Sequence, residues 1–275
     1  MARVTDTNEE NLYRAPQSSV AKTVSGRTDY VYRSPRRLAN VVRGMIIGLI
    51  VLTLGLVVAQ GNQWHVLQQM ADKAFASREE MLAAATQSDR IVALLAGLFG
   101  ILLLATYIPA GMWIYRAACN ARALGAQGLD DSPGLAVGSY AIPFVNLVRP
   151  FRAMSQIWRA SSLPGQWQKK TQVPALLRWW WGFWLLDNFV GYANFRTAKS
   201  TGSIESLIQQ TQLSMGSELL GIVASCLFLS VVLGLTRLQE RQHANPEPAS
   251  TERDGMDLSW LDTAPAMTAG PKVGA

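Results

Sequence analysis

Apolar residues in this chain are gathered into four blocks rather than spread evenly. The blocks cover about residues 41–60, 91–115, 174–192 and 219–235, with polar residues at their ends and between them. Each is close to the roughly 20 residues that an α-helix needs to cross a hydrocarbon core about 30 Å thick. The pattern predicts an all-α integral membrane protein whose four transmembrane helices lie within residues 34–239. Residues 1–33 and 240–275 are polar and lack a helical or strand period, so they read as a disordered arm and a disordered tail.

Local signals sharpen the blocks. Ser34-Pro35 suits a helix start, with Ser as N-cap and Pro at the first helical position, where its missing N–H costs nothing. That helix is expected to pass Arg36, Arg37 and Arg43 and end near Gln60. Pro109 lies inside the second block and removes one backbone hydrogen bond, which predicts a kink. The third block opens with Arg178 and WWWGFW at 179–184, whose indoles suit the headgroup level.

The connection between the second and third blocks carries the most detail. LAVGSYAIPFVNLV at 135–148 is uncharged but only 14 residues long, too short to span. Residues 133–160 therefore read as a re-entrant or an interfacial segment, and both alternatives stay open. Beyond Arg149-Pro150, Phe151, Met154 and Trp158 recur at helical spacing, away from Arg152, Gln156 and Arg159. That is the pattern of an amphipathic helix on the inner leaflet. The connections 61–90 and 194–216 also read as helical, with apolar stripes at Val66, Leu67, Met70 and Ala74, and at Leu207, Ile208 and Leu213.

Charge changes the picture more than composition does. The mean hydropathy of only +0.12 averages the blocks away. With 25 Lys and Arg against 19 Asp and Glu, the net charge is +6. The basic residues bracket the blocks instead of forming one continuous face, which argues against nucleic-acid binding. From the arm to the tail, the successive segments carry eight, three, eight, two and four Lys and Arg. That alternation predicts four spans with both termini in the cytoplasm. The eight basic residues of segment 116–178 outweigh Asp130 and Asp131, so this segment should seek anionic lipid headgroups.

Candidate chemistry is sparse. Cys119 follows the second block and Cys226 sits inside the fourth, so no disulfide is expected between them. His65 and His243 fall on opposite sides in this topology, so neither a metal site nor a cofactor is expected. P-loop, G-x-S-x-G, H-E-x-x-H and dinucleotide patterns are missing, and the protein reads as no enzyme. The start of the chain does not resemble a cleavable signal peptide, so the first block should stay as an anchor.

A few residues stand out against this background. Asp187-Asn188 lies inside the third block, where a carboxylate costs about 2.5–3.5 kcal/mol at a helix centre. It is either a buried or rim hydrogen bond or part of a polar pathway. Arg116 and Asn120 are four apart at the end of the second block. There Arg116 complements the helix C-terminus, pairs with Asp130 or Asp131, or grips a lipid phosphate. Gly44 and Gly48 form GxxxG, a weak signal for a homo-oligomer. Trp260 in the tail is either a docking residue or, as the reading favours, a chance aromatic.

The segment from Trp113 to Ser161 carries a resemblance. Its landmarks are Trp113, Arg116, Asn120, Ala123-Leu124-Gly125, Ser132-Pro133, Val137-Gly138, Pro143, Asn146, Arg149-Pro150, Met154 and Trp158-Arg159-Ala160-Ser161. With Ser34 to Ala39, these resemble the bacterial family called domain of unknown function 4328, over about residues 30–240. The resemblance implies a multi-span integral membrane protein of unassigned activity and brings no catalytic residue to transfer. The expectation is an interaction, scaffold or regulatory component of the bacterial cytoplasmic membrane, with anionic lipid and a membrane-protein or homo-oligomeric partner. Arg116, Asn120, Asn146, Arg149 and Arg159 would organise its cytoplasmic face. The alternative is a small oligomeric transporter or channel that uses Asp187.

Overall fold

The computed structural model describes residues 30–169, 172–197 and 202–246, so most of the arm, most of the tail and Trp260 lie outside the described residues. Within them the chain is helical and contains no strand. Four long helices build the body: α1 (Arg36–Ala71), α2 (Arg78–Ala123), α5 (Ala175–Thr197) and α6 (Ile204–Ala244). Between α2 and α5 come the short α3 (Pro133–Gly138), two 3-10 turns, α4 (Arg149–Ser162) and a third 3-10 turn at Pro164–Gln166.

The helix starts follow from capping. Ser34 accepts the Arg36 N–H at 3.4 Å, and the helix begins at Arg36, one residue later than the Ser-Pro pair predicts. At α2, Ser77 accepts the Glu80 N–H at 3.1 Å while Glu80 accepts the Ala76 N–H at 3.3 Å. Ser203 and Ser206 close a capping box on α6, which satisfies donors that have no intrahelical partner.

The helices outrun the blocks. α1 continues to Ala71, α2 begins at Arg78 and α6 begins at Ile204, so the connections expected to be separate helical pieces are extensions of the spanning rods. At about 1.5 Å per residue, α1 is about 54 Å long, well beyond a hydrocarbon core. α2 also runs unbroken through Pro109.

Buried positions on α1 fall at Ala39, Val42, Ile46, Leu49, Thr53 and Leu56. That alternation of three and four keeps one stripe facing its neighbours, as in left-handed bundle packing. α1 packs along both α2 and α6, and α5 packs along α6. Gly48 marks the closest approach of α2, since a Cβ there would sit 3.2 Å from Leu102 Cδ2. The GxxxG pair thus serves, at Gly48, a contact within the chain. Arg36 on α1 reaches Glu240 on α6, and Gly61 lies near Met215, so these two helices run antiparallel. α5 is antiparallel to α6 as well, with Trp180 beside Phe228 and Asp187 beside Gly221.

Three of the helices, α1, α2 and α6, are long and apolar enough to cross a membrane among the described residues. This is one fewer than the four apolar blocks predict. In α5 the four tryptophans, Asp187 and Asn188 dilute the aliphatic content of a 23-residue helix. Only 6% of the most apolar stretch of α2 is buried inside the protein. Leu94, Leu98, Ile101, Ile108 and Met112 form an exposed stripe there. An apolar surface of this extent is stable against lipid and not against water.

The core lies toward the end of the bundle that holds the start of α1 and the ends of α2 and α6, here called the cap. α4 wedges against α2, α3, α5 and α6, with Met154, Ile157 and Ala160 buried. The apolar side that the periodicity lays on a leaflet is thus largely covered by protein. Trp158 sits under α6 at Gly234, where a Cβ would come 3.0 Å from its ring. Of the tryptophans at 179–181, Trp179 faces outward, whereas Trp180 and Trp181 are buried. Trp180 stacks on Phe228, and Trp181 stacks on Trp184 and Phe151.

Candidate functional site

The polar residues of the cap converge on Asn120, which is fully buried near the end of α2. Its amide nitrogen donates to the Arg33 carbonyl at 2.9 Å and to Gln239 Oε1 at 3.2 Å, and its oxygen accepts the Arg33 N–H at 3.2 Å. Gln239, buried on α6, donates from Nε2 to the Ala117 carbonyl at 2.8 Å and to Ser161 Oγ at 2.9 Å. One cluster therefore ties the segment before α1 to α2, α4 and α6. Both amide N–H groups of Asn120 are used, as a buried amide requires. Deeper in the bundle, two turns before Asn120 on α2, Trp113 donates its indole N–H to Thr236 at 3.1 Å.

A second cluster joins the α2–α3 loop to α4. Asp131 is buried, and Arg149 meets its Oδ1 with Nε at 2.9 Å and Nη2 at 2.7 Å. Arg122 donates to the Asp131 main-chain carbonyl and to the Ala118 carbonyl. Asp130 and Gln156 bond reciprocally, the Asp130 N–H to Gln156 Oε1 at 3.1 Å and the Gln156 amide to the carboxylate. Arg152 stands 3.7 Å from the same carboxylate.

At the rim, Glu240 accepts from Arg36 at 2.8 Å and from Ser34 at 3.0 Å, and Tyr32 stacks on His243 at 3.9 Å. Burial, reinforced by the nearby Glu240 carboxylate, pushes the Tyr32 hydroxyl pKa up. Burial likewise raises that of the Cys119 thiol, which makes it a poor nucleophile.

The residues singled out from sequence are thus only partly assembled. Asn120 and Arg149 lie at the centres of the two clusters. Arg116 is half-buried one turn before Asn120 but takes neither expected carboxylate, because Arg149 holds Asp131 while Gln156 and Arg152 hold Asp130. Asn146 sits in the 3-10 turn, its N–H bonded to the Ile142 carbonyl at 2.9 Å. Arg159 lies on another side of α4, its guanidinium 5.5 Å from the centre of the Trp167 ring. Asp187 lies outside both cap clusters, on α5 where it meets Gly221 of α6. Asn188 turns outward and donates to the Trp184 carbonyl at 2.7 Å.

Sequence reasoning missed Gln239, Ser161, Arg33 and Gln156. For Gln239 a signal existed: it continues the buried stripe Val231, Val232, Leu235 of α6, and a polar residue at a core position calls for a buried partner. Among the described residues no group of three His, Cys, Asp or Glu could hold a metal ion.

The family model described as domain of unknown function (DUF4328) matches residues 76–237. The match takes in Trp113 to Ser161 and leaves out Ser34 to Ala39. No curated protein and no solved structure matches this chain at a significant level.

Proposed function

The chain belongs to the DUF4328 family, and from that premise we propose that it is a non-enzymatic interaction, scaffold or regulatory component of the bacterial cytoplasmic membrane. The carrying observation is the state of the cap's polar groups. A general acid or base needs a lone pair or proton turned toward a substrate. Asn120, Gln239, Asp131 and Arg149 turn theirs toward one another, which suits a rigid platform.

Further observations support the membrane arrangement. α5 lies antiparallel along the apolar part of α6, so it shares the depth of that span and serves as a fourth crossing. Four crossings and the alternation of basic residues support a cytoplasmic cap with both termini on the same side. The loop before α4 exposes Ile142, Phe144 (86% exposed) and Val148 beside Arg149. Apolar tips beside a cation fit an interfacial segment in an anionic leaflet.

The test is mass spectrometry of the protein extracted from its own membrane in native lipid particles. A stoichiometric protein partner, lost in Arg149→Ala, is the expected result. A particle holding this chain and lipid alone would overturn the reading.

One observation favours a second reading, a small oligomeric transporter. Asp187 on α5 lies against Gly221 of α6, and intramembrane carboxylates commonly mark pathways. Under it, Asp187→Asn should at least halve proton or cation flux into liposomes. Equal flux in both forms, or none, rejects it.

A further inference from the structure

α4 turns Met154 and Ile157 into the bundle, and its other side carries Arg152, Ser155 and Arg159 along one stripe. This stripe borders a cleft of about 440 Å³ between α4 and the segment that leads to α5, closed by Trp167, Gln168 and Phe151. We propose that this cleft binds a phosphate group carried on an organic moiety.

The donors outnumber the acceptors. Arg152 is mostly exposed and only loosely paired, 3.7 Å from Asp130. Arg159 has its guanidinium held over Trp167, whose own N–H is fixed on the Gln127 carbonyl at 2.8 Å. Gln168 reaches the same carbonyl only at 3.5 Å. Ser155 is 4% exposed, and its hydroxyl has no hydrogen-bond partner. A buried hydroxyl left unpaired costs free energy, and a phosphate oxygen would supply the acceptor. The one carboxylate at the cleft, Asp130, is already engaged by Gln156. The guanidiniums of Arg152 and Arg159 suit a planar or bidentate oxyanion. Phe151 and Trp167 give it an apolar wall, and its volume is that of a small-ligand site.

Two sources share this chemistry, a lipid headgroup and a soluble phosphate ester. Phe151 stacks on Trp181 at 6.2 Å, which sets the cleft at the start of α5. That is headgroup level if the orientation under the proposed function holds, and only the choice of source rests on that reading.

The experiment titrates the full-length protein in neutral detergent at fixed ionic strength, once with inorganic phosphate and once with dihexanoyl phosphatidylglycerol, following heat of binding. Saturable binding of one or both, weakened about tenfold in Arg152→Gln and in Ser155→Ala, is the expected result. Tighter binding of the lipid assigns the headgroup as source, and tighter binding of inorganic phosphate assigns a soluble ester. Arg152 is exposed, so its variant folds even where the buried Ser155→Ala does not. Absence of saturation with either probe, or wild-type affinity in Arg152→Gln, overturns the cleft. That failure leaves the co-purification result untouched, and a missing partner leaves these titrations valid.

Discussion

Asn120→Leu should lower the unfolding free energy of the full chain by about 3 kcal/mol or more. The substitution keeps the γ-branched shape but deserts three groups at once: the Arg33 N–H, the Arg33 carbonyl and Gln239 Oε1. Each buried group left without a partner costs about 1–3 kcal/mol, with the Arg33 groups at the low end because that residue is exposed. Gln239→Leu should cost a similar amount through the Ala117 carbonyl and Ser161. The double variant should be less damaged than the two losses added, by about 1 kcal/mol or more, because the pair shares one bond. Unfolding monitored in a single detergent checks both numbers. A loss below about 1 kcal/mol for Asn120→Leu, or strict additivity, would mean that water reaches the cluster and that the cap is not a sealed unit.

Three long apolar helices were legible because apolar content over some 20 residues is a bulk property of a segment. Where the helices end was less so. No proline interrupts the stretch from Gln60 to Ala71, so nothing in the local code stops α1 at the membrane surface, and it continues. The start of α2 was readable in principle, since Ser77 and Glu80 stand at capping-box spacing. Periodicity identified the apolar side of α4 but not its cover: Met154 meets protein where a leaflet was expected. The same limit applies to the indoles at 179–181, where composition cannot say which of three adjacent rings turns inward.

The cap was half legible for a different reason. Asn120 and Arg149 stand out as polar residues at the edges of apolar segments. Their partners do not, because the Asn120–Gln239 bond joins positions 119 residues apart. Finding it requires the register of α2 against α6, which shows in contacts between distant residues such as Trp113 and Thr236 and not in any local pattern.

Trp113→Ala should cost about 3–5 kcal/mol. The ring is fully buried, bonded to Thr236 at 3.1 Å and set edge-on to Phe228 at 6.4 Å. Phe228 stacks in turn on Trp180 of α5 at 5.3 Å, so one side chain of α2 supports the contact of α6 with α5. Removing it opens a cavity and orphans the Thr236 hydroxyl, and the loss should spread to the near-ultraviolet signal of the tryptophan stack. Trp113→Phe separates the two terms: it retains most of the ring, removes the indole donor, and should cost about 1–2 kcal/mol. If Trp113→Ala unfolds at the wild-type midpoint, with the aromatic signal intact, then α5 and α6 hold together without α2.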